Sequence, residues 1–142
     1  MNLTPRVAAV HDLSGLGRCS LSVILPVLSA MGAQCCPLPT AVLSAHTAFP
    51  APESSAFQDL TDTMEQSLKH WQALGVTFDA IYSGFLGSPR QISVLRHLIA
   101  RFRRRETLVL VDPVMGDRGK VYRTYTPELC AQMTELAAEA SL

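Results

Sequence analysis

Residues 108–122 read LVLVDPVMGDRGKVY, and this stretch decides the fold. The aliphatic run at 107–111 is typical of a strand buried on both faces of a parallel sheet. Asp112 and Asp117 follow it, separated by a proline and a glycine that stiffen and turn the loop. Two carboxylates on such a loop can bind a hard cation such as magnesium, which neutralises nucleotide phosphates. Asp112 could equally cap main-chain amides while Asp117 faces solvent, so the stretch alone leaves both interpretations open.

Similar aliphatic runs recur along the chain and alternate with helical patterns. Strands are predicted over residues 6–11, 34–43, 78–83 and 107–111. Between them, apolar residues at helical spacing predict one helix with the stripe 57, 60, 64, 68 and 71, and another with 92, 95, 98, 99 and 102. A helix over 18–31 is weakened by its internal proline, and the last helix starts at Thr126. This alternation predicts an α/β fold, a parallel sheet with right-handed crossovers and helices on its faces.

The start of the third helix carries a capping signal. Ser88 is followed by Pro89, a residue favoured at the first helical position, and by Gln91 three residues after the serine. We expect Ser88 to cap the helix and Gln91 to reach back and complete a capping box.

Polar motifs follow each predicted strand. They are His11-Asp12-Leu13-Ser14-Gly15, Ser44-Ala45-His46-Thr47, Ser83-Gly84-Phe85 and the segment from Asp112 to Asp117. In open α/β sheets ligands bind beyond the carboxyl ends of the strands. The sequence therefore predicts that four loops meet at one site.

Composition narrows the classes of protein. The 142 residues make one domain or part of a larger one, and 48% of them are hydrophobic, which argues against disorder. The net charge of zero argues against a nucleic-acid or membrane-surface partner. Six arginines between 90 and 105 could form a basic patch for phosphate groups, but a solvated helix face is the favoured interpretation. No secretory signal is expected at the N-terminus, and the four cysteines lack zinc spacing, so we expect reduced thiols in a cytoplasmic protein.

Two enzyme classes fit poorly. The turn Gly15-Leu16-Gly17 has Ser20 where a dinucleotide fingerprint needs its third glycine, and residues 35–40 contain no acidic residue to bind a ribose. A serine hydrolase would need a Gly-x-Ser-x-Gly elbow, which the sequence lacks.

Read together, the motifs resemble a known family. The segments AAVHDLSGLGRCSLSVILPVLSAMG, PLPTAVLSAHTAF, YSGFLGS and VDPVMGDRGKVY look like the start of a pyridoxal (pyridoxine, pyridoxamine) kinase of the ribokinase-like superfamily. The Asp-Pro-Val-Met-Gly-Asp element is shared with the related hydroxymethylpyrimidine kinases. The resemblance implies a three-layer fold and phosphoryl transfer from ATP to the 5′-hydroxymethyl group of a B6 vitamer, in pyridoxal phosphate salvage.

The resemblance also implies roles for particular residues. Asp12, His46 and Thr47 would line the vitamin pocket, and Phe85 sits where some members carry a tyrosine that stacks on the ring. Asp12 itself stands where many members have serine.

A second group would serve the nucleotide. Asp112 and Asp117 would bind magnesium and phosphate, and Tyr122 would lie near the nucleotide phosphates. From their position in the same loop, Arg118 and Lys120 could also meet phosphate oxygens.

Two motifs of the family do not occur in this sequence. They are the Asn-x-x-Glu magnesium motif and the Gly-Thr-Gly-Asp segment that supplies an anion hole and a catalytic aspartate. We therefore expect residues 1–142 to be the N-terminal part of a single kinase domain that lacks its C-terminal part, with no catalytic residue and little activity alone. An open sheet edge would favour a homodimer or other self-association. A hydroxymethylpyrimidine kinase and a non-catalytic vitamin-binding fragment remain alternatives, and the preferred vitamer stays open.

Overall fold

A computed structural model of the chain describes residues 4–47, 49–117, 119–122 and 124–141. Strands and helices alternate through most of it. In chain order the elements are β1 (Arg6–Leu16), α1 (Leu21–Ala30), β2 (Gln34–Ala45), β3 (Phe57–Asp59), α2 (Thr61–Ala73), β4 (Ala80–Ser83), α3 (Pro89–Phe102), β5 (Leu108–Val111), β6 (Gly116–Asp117), β7 (Lys120–Val121) and α4 (Pro127–Ala138).

The main sheet has five strands in the order β3-β2-β1-β4-β5. The three pairs formed by β1, β2, β4 and β5 are parallel, as their aliphatic sequences predict. The short β3 pairs antiparallel with β2, and β6 and β7 form a separate hairpin. The predicted parallel α/β sheet is thus confirmed, with an antiparallel edge strand that the sequence did not reveal.

Helices cover the sheet on both faces and make three layers. Side chains of α2, α3 and α4 share one buried core with alternate residues of the central strands, among them Ala8, Val10, Ile81 and Val109. The opposite face carries α1, which packs against β1 and β2. This layering follows from the connections, because α1 links β1 to β2 on one face, whereas α2 links β2 to β4 and α3 links β4 to β5 on the other.

The predicted start of α2 is wrong. Phe57 was expected on the buried helical stripe, but it lies in β3 with 49% of its surface exposed. The helix begins at Thr61, where the side chain of Asp59 accepts a hydrogen bond from the Thr61 amide at 2.8 Å. A cap from Asp59 outweighs the apolar periodicity that runs through it.

The capping signals of the later helices are mostly confirmed. Ser88 accepts a hydrogen bond from the Gln91 amide, and Thr126 accepts one from the Leu129 amide, each followed by proline at the first turn. The expected capping box is wrong, because the Gln91 side chain accepts from the Gly87 amide and donates into the core instead. Gln91 is fully buried, and buried amides need several partners.

Arginines between residues 90 and 105 form ion pairs and hydrogen bonds with neighbouring helices. Arg90 pairs with Asp62 and Glu65 on α2, and Arg96 pairs with Glu135 and Glu139 on α4. Arg103 donates to the Glu139 carbonyl at the end of α4, where a cation is favoured by the helix dipole. The prediction of a solvated helix face is confirmed for these three residues.

Helix α1 contains no charged residue, and Leu21 is its one buried residue. Val23, Val27 and Met31 follow each other at four-residue spacing and are 37%, 49% and 75% exposed.

At the other side of the sheet, the Ser141 amide donates to the Val109 carbonyl on the outer edge of β5 at 2.7 Å. Within the described residues, no helix has both the length and the apolar character needed to cross a bilayer.

Candidate active site

The topology places a crevice at the carboxyl ends of β1 and β4. The loop after β1 leads through α1 to β2 on one side, and the loop after β4 leads through α3 to β5 on the other side. The two loops therefore leave these adjacent strands in opposite directions. Such a switch point is where open α/β sheets bind ligands. The loop after β4 starts at Gly84, whose amide donates to the Val10 carbonyl at 3.0 Å.

Asp12 lies at this crevice beside an irregularity in the sheet. The register between β1 and β2 shifts between His11 and Leu13, and such bulges re-aim side chains. The Asp12 side chain is buried, with 5% exposed, and each of its oxygens accepts a hydroxyl hydrogen bond. Ser20 donates to Oδ1 at 2.5 Å and Ser14 donates to Oδ2 at 2.9 Å. The carboxylate therefore holds the start of α1 against the end of β1.

The glycine-rich segment differs in part from the expected turn. Residues through Leu16 continue β1, and the turn itself lies between Gly17 and Ser20. Gly17 has a φ of 118° and passes so close to His46 that a Cβ there would lie 3.0 Å from the His46 Cβ. The His46 amide also donates to the Leu16 carbonyl at 2.8 Å. Glycine at 17 thus lets the loops after β1 and β2 meet.

His11 fills the space between β1 and β4. Its ring lies edge-on to Tyr82 with 4.5 Å between centroids, and a Cβ on Gly84 would lie 2.7 Å from its Cε1. Burial lowers the pKa of His11 to about 4, against an opposing effect of Asp12. The imidazole is therefore neutral at physiological pH. Its Nε2 is buried and has no hydrogen-bond partner among the described residues.

The loop carrying Phe85 is fixed from three directions. Thr40 on β2 donates to the Phe85 carbonyl at 3.1 Å, and Gln91 on α3 accepts from the Gly87 amide at 2.8 Å. Tyr125 donates to the Leu86 carbonyl at 2.9 Å, and its ring lies 6.1 Å from that of Phe85. The main chain around Phe85 is therefore anchored by β2, α3 and Tyr125, and the Phe85 side chain is 7% exposed.

The residues after β5 add negative charge. Asp112 and Asp117 are both exposed, and the Asp112 amide donates to the Ser83 carbonyl at 2.9 Å. Asp117 lies opposite Lys120 in the main-chain register of the β6–β7 hairpin. Burial raises the pKa of the Tyr122 phenol, and Asp117, Asp12 and Asp112 raise it further. Three carboxylates therefore act on one phenol. Arg118 lies outside the described residues.

A single cleft collects most of the predicted residues. Its lining consists of Asp12, Ser20, Leu43, His46, Thr47, Phe85, Val114 and Tyr122. All four residues expected to bind the vitamin are present, together with Tyr122. Asp112 and Asp117 do not line this cleft and lie within electrostatic range of its Tyr122. The cleft has a volume of about 40 Å³.

Three lining residues were not predicted. The sequence gives no reason to place Ser20 in the cleft other than its position after the turn. Its φ of 49° also has no sequence signature. Leu43 was hidden inside a strand pattern, although Ala41 and Leu43 alternate as buried residues on β2. Val114 is an ordinary apolar residue whose position depends on the path of the chain after Pro113.

The carboxylates suit magnesium in their donor chemistry. Magnesium keeps several waters and binds proteins through one or two carboxylates together with substrate phosphates. Asp112 and Asp117 provide two exposed carboxylates on one segment. No group of three or more histidine, cysteine, aspartate or glutamate residues that could hold a metal occurs in the part of the chain described above.

Comparison with known proteins was made by sequence and by structure. No family model matches the sequence. The pyridoxine/pyridoxal/pyridoxamine kinase of Bordetella avium is 36% identical over 115 residues, which are 78% of this chain and 38% of that protein. The pyridoxal kinase of Lactobacillus plantarum superposes with a TM-score of 0.82 at 32% identity, covering 95% of this chain and 47% of the other.

A protein of Bacteroides thetaiotaomicron, described as a phosphomethylpyrimidine kinase, is more similar still. It superposes with a TM-score of 0.91 at 50% identity over 98% of this chain and 47% of the other, and a second crystal form of it contains pyridoxal. The chain thus spans about half the length of these structural relatives. Their shared parallel sheet and flanking helices confirm the ribokinase-like fold class. The resemblance to pyridoxal and phosphomethylpyrimidine kinases of the ribokinase-like family is thus confirmed, over about half of the length of these structures.

Proposed function

We propose that this chain is the vitamin-binding part of an ATP-dependent kinase that phosphorylates the 5′-hydroxymethyl group of a B6 vitamer. Residues 1–142 form part of a single ribokinase-like domain in this proposal. One observation carries it: residues from four parallel strands or the loops that follow them, with Tyr122 from the segment after β7, line one cleft. The pyridoxal bound to the 49% identical Bacteroides protein supports the same class of ligand.

In this proposal each wall of the cleft has a role in binding. Phe85 offers an aromatic face for the vitamin ring, and Asp12, His46 and Thr47 offer polar atoms around it. Asp112 and Asp117 would hold magnesium, and Tyr122 and Lys120 would lie at the nucleotide phosphates. Magnesium, when bound with ATP, supplies neutralisation of phosphate charge. No residue of this chain is assigned as the base that takes the proton of the substrate hydroxyl.

Ligand binding tests the vitamin site. Calorimetry with pyridoxal and with 4-amino-5-hydroxymethyl-2-methylpyrimidine separates the two kinase types, and tighter binding of pyridoxal is expected. Phe85→Leu should weaken pyridoxal about three- to tenfold, because an aromatic contact is worth about 0.5–1.5 kcal/mol. Phe57→Leu, at an exposed phenylalanine of β3, is the control and should change nothing. Preferred binding of the pyrimidine would favour the rival kinase.

Turnover tests the catalytic part of the proposal. With pyridoxal, ATP and magnesium, the 142-residue chain should show little or no phosphorylation, since neither the Asn-x-x-Glu nor the Gly-Thr-Gly-Asp motif occurs in it. Vitamin binding without turnover is also what a non-catalytic vitamin-binding fragment would show. Reading the genomic DNA beyond codon 142 separates the two, because a kinase requires an open frame that encodes both motifs. Normal turnover by the chain alone would contradict the roles assigned to these motifs.

Asp112 and Asp117 are tested through magnesium-dependent binding of an ATP analogue. Asp112→Asn and Asp117→Asn should each weaken it, whereas Asp62→Asn, an exposed change on α2, should not. Equal affinity in all three variants would remove the aspartates from the nucleotide site.

Self-association is the proposed assembly. Helix α1 carries no charged residue, so two copies can bring the Val23, Val27 and Met31 surface together without like charges facing each other. Sedimentation should show a dimer or larger species for the chain, and a shift to monomer for Val27→Glu. A compact monomer of the unaltered chain would refute this assembly.

A further inference from the structure

We propose that Asp12 makes the cleft selective for vitamers that carry a cationic nitrogen, so that pyridoxamine binds more tightly than pyridoxine. This inference rests on the proposed function, because it assumes that a B6 vitamer occupies the cleft. It goes further by naming one residue that discriminates within that class.

The first argument is the unused bonding capacity of Asp12. A carboxylate offers about four lone-pair sites, and the two serine hydroxyls occupy two of them. Asp12 also lines the cleft while 5% exposed, so little water is available to satisfy the remainder. A donor on the ligand can therefore bind the carboxylate without displacing either serine.

The second argument is the lack of a compensating cation. None of the described cleft-lining residues is a lysine or an arginine. His11, adjacent in sequence, is neutral at physiological pH because burial lowers its pKa to about 4. A carboxylate that is largely removed from water, with no lysine or arginine among the described residues that line its cleft, binds a cationic ligand with particular advantage.

The third argument is the field around the cleft. Asp112 and Asp117 act on Tyr122 in the same sense as Asp12, and all three raise the pKa of that phenol. The described acidic residues therefore reinforce each other at the cleft. A negative potential of this kind favours a cation over a neutral ligand of the same shape.

Pyridoxamine and pyridoxine differ in the substituent at ring position 4. Pyridoxamine carries an aliphatic ammonium on the carbon attached to ring position 4, where pyridoxine carries a hydroxyl. Such an amine titrates like lysine, near pH 10, and is a cation at pH 8. The pyridine nitrogen is common to both vitamers, so a comparison between them isolates the ammonium from the ring.

Calorimetric titration at pH 8 with pyridoxamine and pyridoxine tests the inference. The unaltered chain should bind pyridoxamine about tenfold more tightly, equivalent to about 1.4 kcal/mol. The ratio should shrink in 0.5 M salt, because a charge interaction at a partly open cleft is screened.

Two variants separate charge from structure. Asp12→Asn removes the charge and should bring the ratio close to one. Ser14→Ala removes one hydrogen bond to Asp12 but leaves the charge, so it should keep the ratio even where the turn is weakened. Retention of the preference in Asp12→Asn, or its loss in Ser14→Ala, would overturn the role of the charge.

The outcomes distinguish this inference from the proposed function. Equal binding of the two vitamers by the unaltered chain refutes the selectivity and leaves the vitamin site standing. Binding of neither vitamer refutes both. Should Asp12→Asn fail to fold, Asp12→Ser is the second variant, and because it also removes the charge it should bring the ratio close to one.

Discussion

Replacing Gln91 with leucine should destabilise the protein and loosen the site together. Gln91 is fully buried, and its amide nitrogen lies 2.9 Å from the Thr40 carbonyl and 3.0 Å from both Asp59 Oδ2 and Thr61 Oγ1. Its oxygen accepts from the Gly87 amide at 2.8 Å. Leucine fills a similar volume but can replace none of these bonds.

The cost can be worked out group by group. The Thr40 carbonyl keeps a second donor, the Leu60 amide at 3.0 Å, and Asp59 is exposed enough for water to replace its bond. The Gly87 amide and the Thr61 hydroxyl lose their partner. Each such group left without a partner costs about 1–3 kcal/mol, so Gln91→Leu should cost about 2–6 kcal/mol. For a domain of this size the Tm should fall by about 6–20 °C.

Urea denaturation followed by circular dichroism measures this change. Gln66→Leu, at an exposed glutamine of α2, is the matched control and should stay within about 0.5 kcal/mol of the unaltered protein. Because Gly87 belongs to the loop that carries Phe85, Gln91→Leu should also weaken pyridoxal binding at temperatures where the variant is folded. A stability loss below about 0.5 kcal/mol would show that Gln91 does not act as the buried link between these elements.

Three further changes test neighbouring contacts. Gly84→Ala should lower the free energy of unfolding by about 1–3 kcal/mol, because the added Cβ would lie 2.7 Å from the buried His11 ring. The control Gly87→Ala should cost less, since its Cβ would meet nothing closer than 3.7 Å. Equal costs for the two variants would contradict the close approach of Gly84 to His11. Tyr125→Phe keeps the ring against Phe85 but leaves the Leu86 carbonyl without its donor, and should lower stability by about 1–2 kcal/mol, a value that an unchanged urea midpoint would refute. The pKa of His11 falls from 6.5 to about 4 on folding, so the unfolded chain binds more protons between these values and stability is lost as pH drops through that window. The loss reaches about 3 kcal/mol, and subtracting the pH profile of His11→Gln should isolate it; identical profiles would exclude this contribution.

The main strands and the residues at their ends could be predicted because buried parallel strands have a distinctive sequence. Aliphatic runs such as 107–111 lie next to polar residues that must face a ligand or solvent, and the chain order then brings the strand ends together. The same reasoning located Asp12, His46, Thr47 and Phe85 at one cleft.

What the sequence hid depends on tertiary contacts. The three-residue β3 is too short and too exposed to show a strand pattern, and Phe57 imitates a helical stripe. Gln91 has the spacing of a capping residue, yet burial between β2 and α3 gives it other partners. The hydrogen bonds of Asp12 to Ser14 and Ser20 depend on a bulge and on a serine with positive φ, neither of which has a sequence signature.

The central position of β1 has a consequence for how the protein is made. Its two neighbours are β2, which follows within about twenty residues, and β4, whose residues 80–83 leave the ribosome much later. At about 5–20 residues per second, β1 waits several seconds with one edge unpaired. The cleft is assembled later still, because Tyr122 is among its walls. A nascent chain arrested before that residue has no complete cleft, so a ligand of the cleft can bind only after residue 122 has been made.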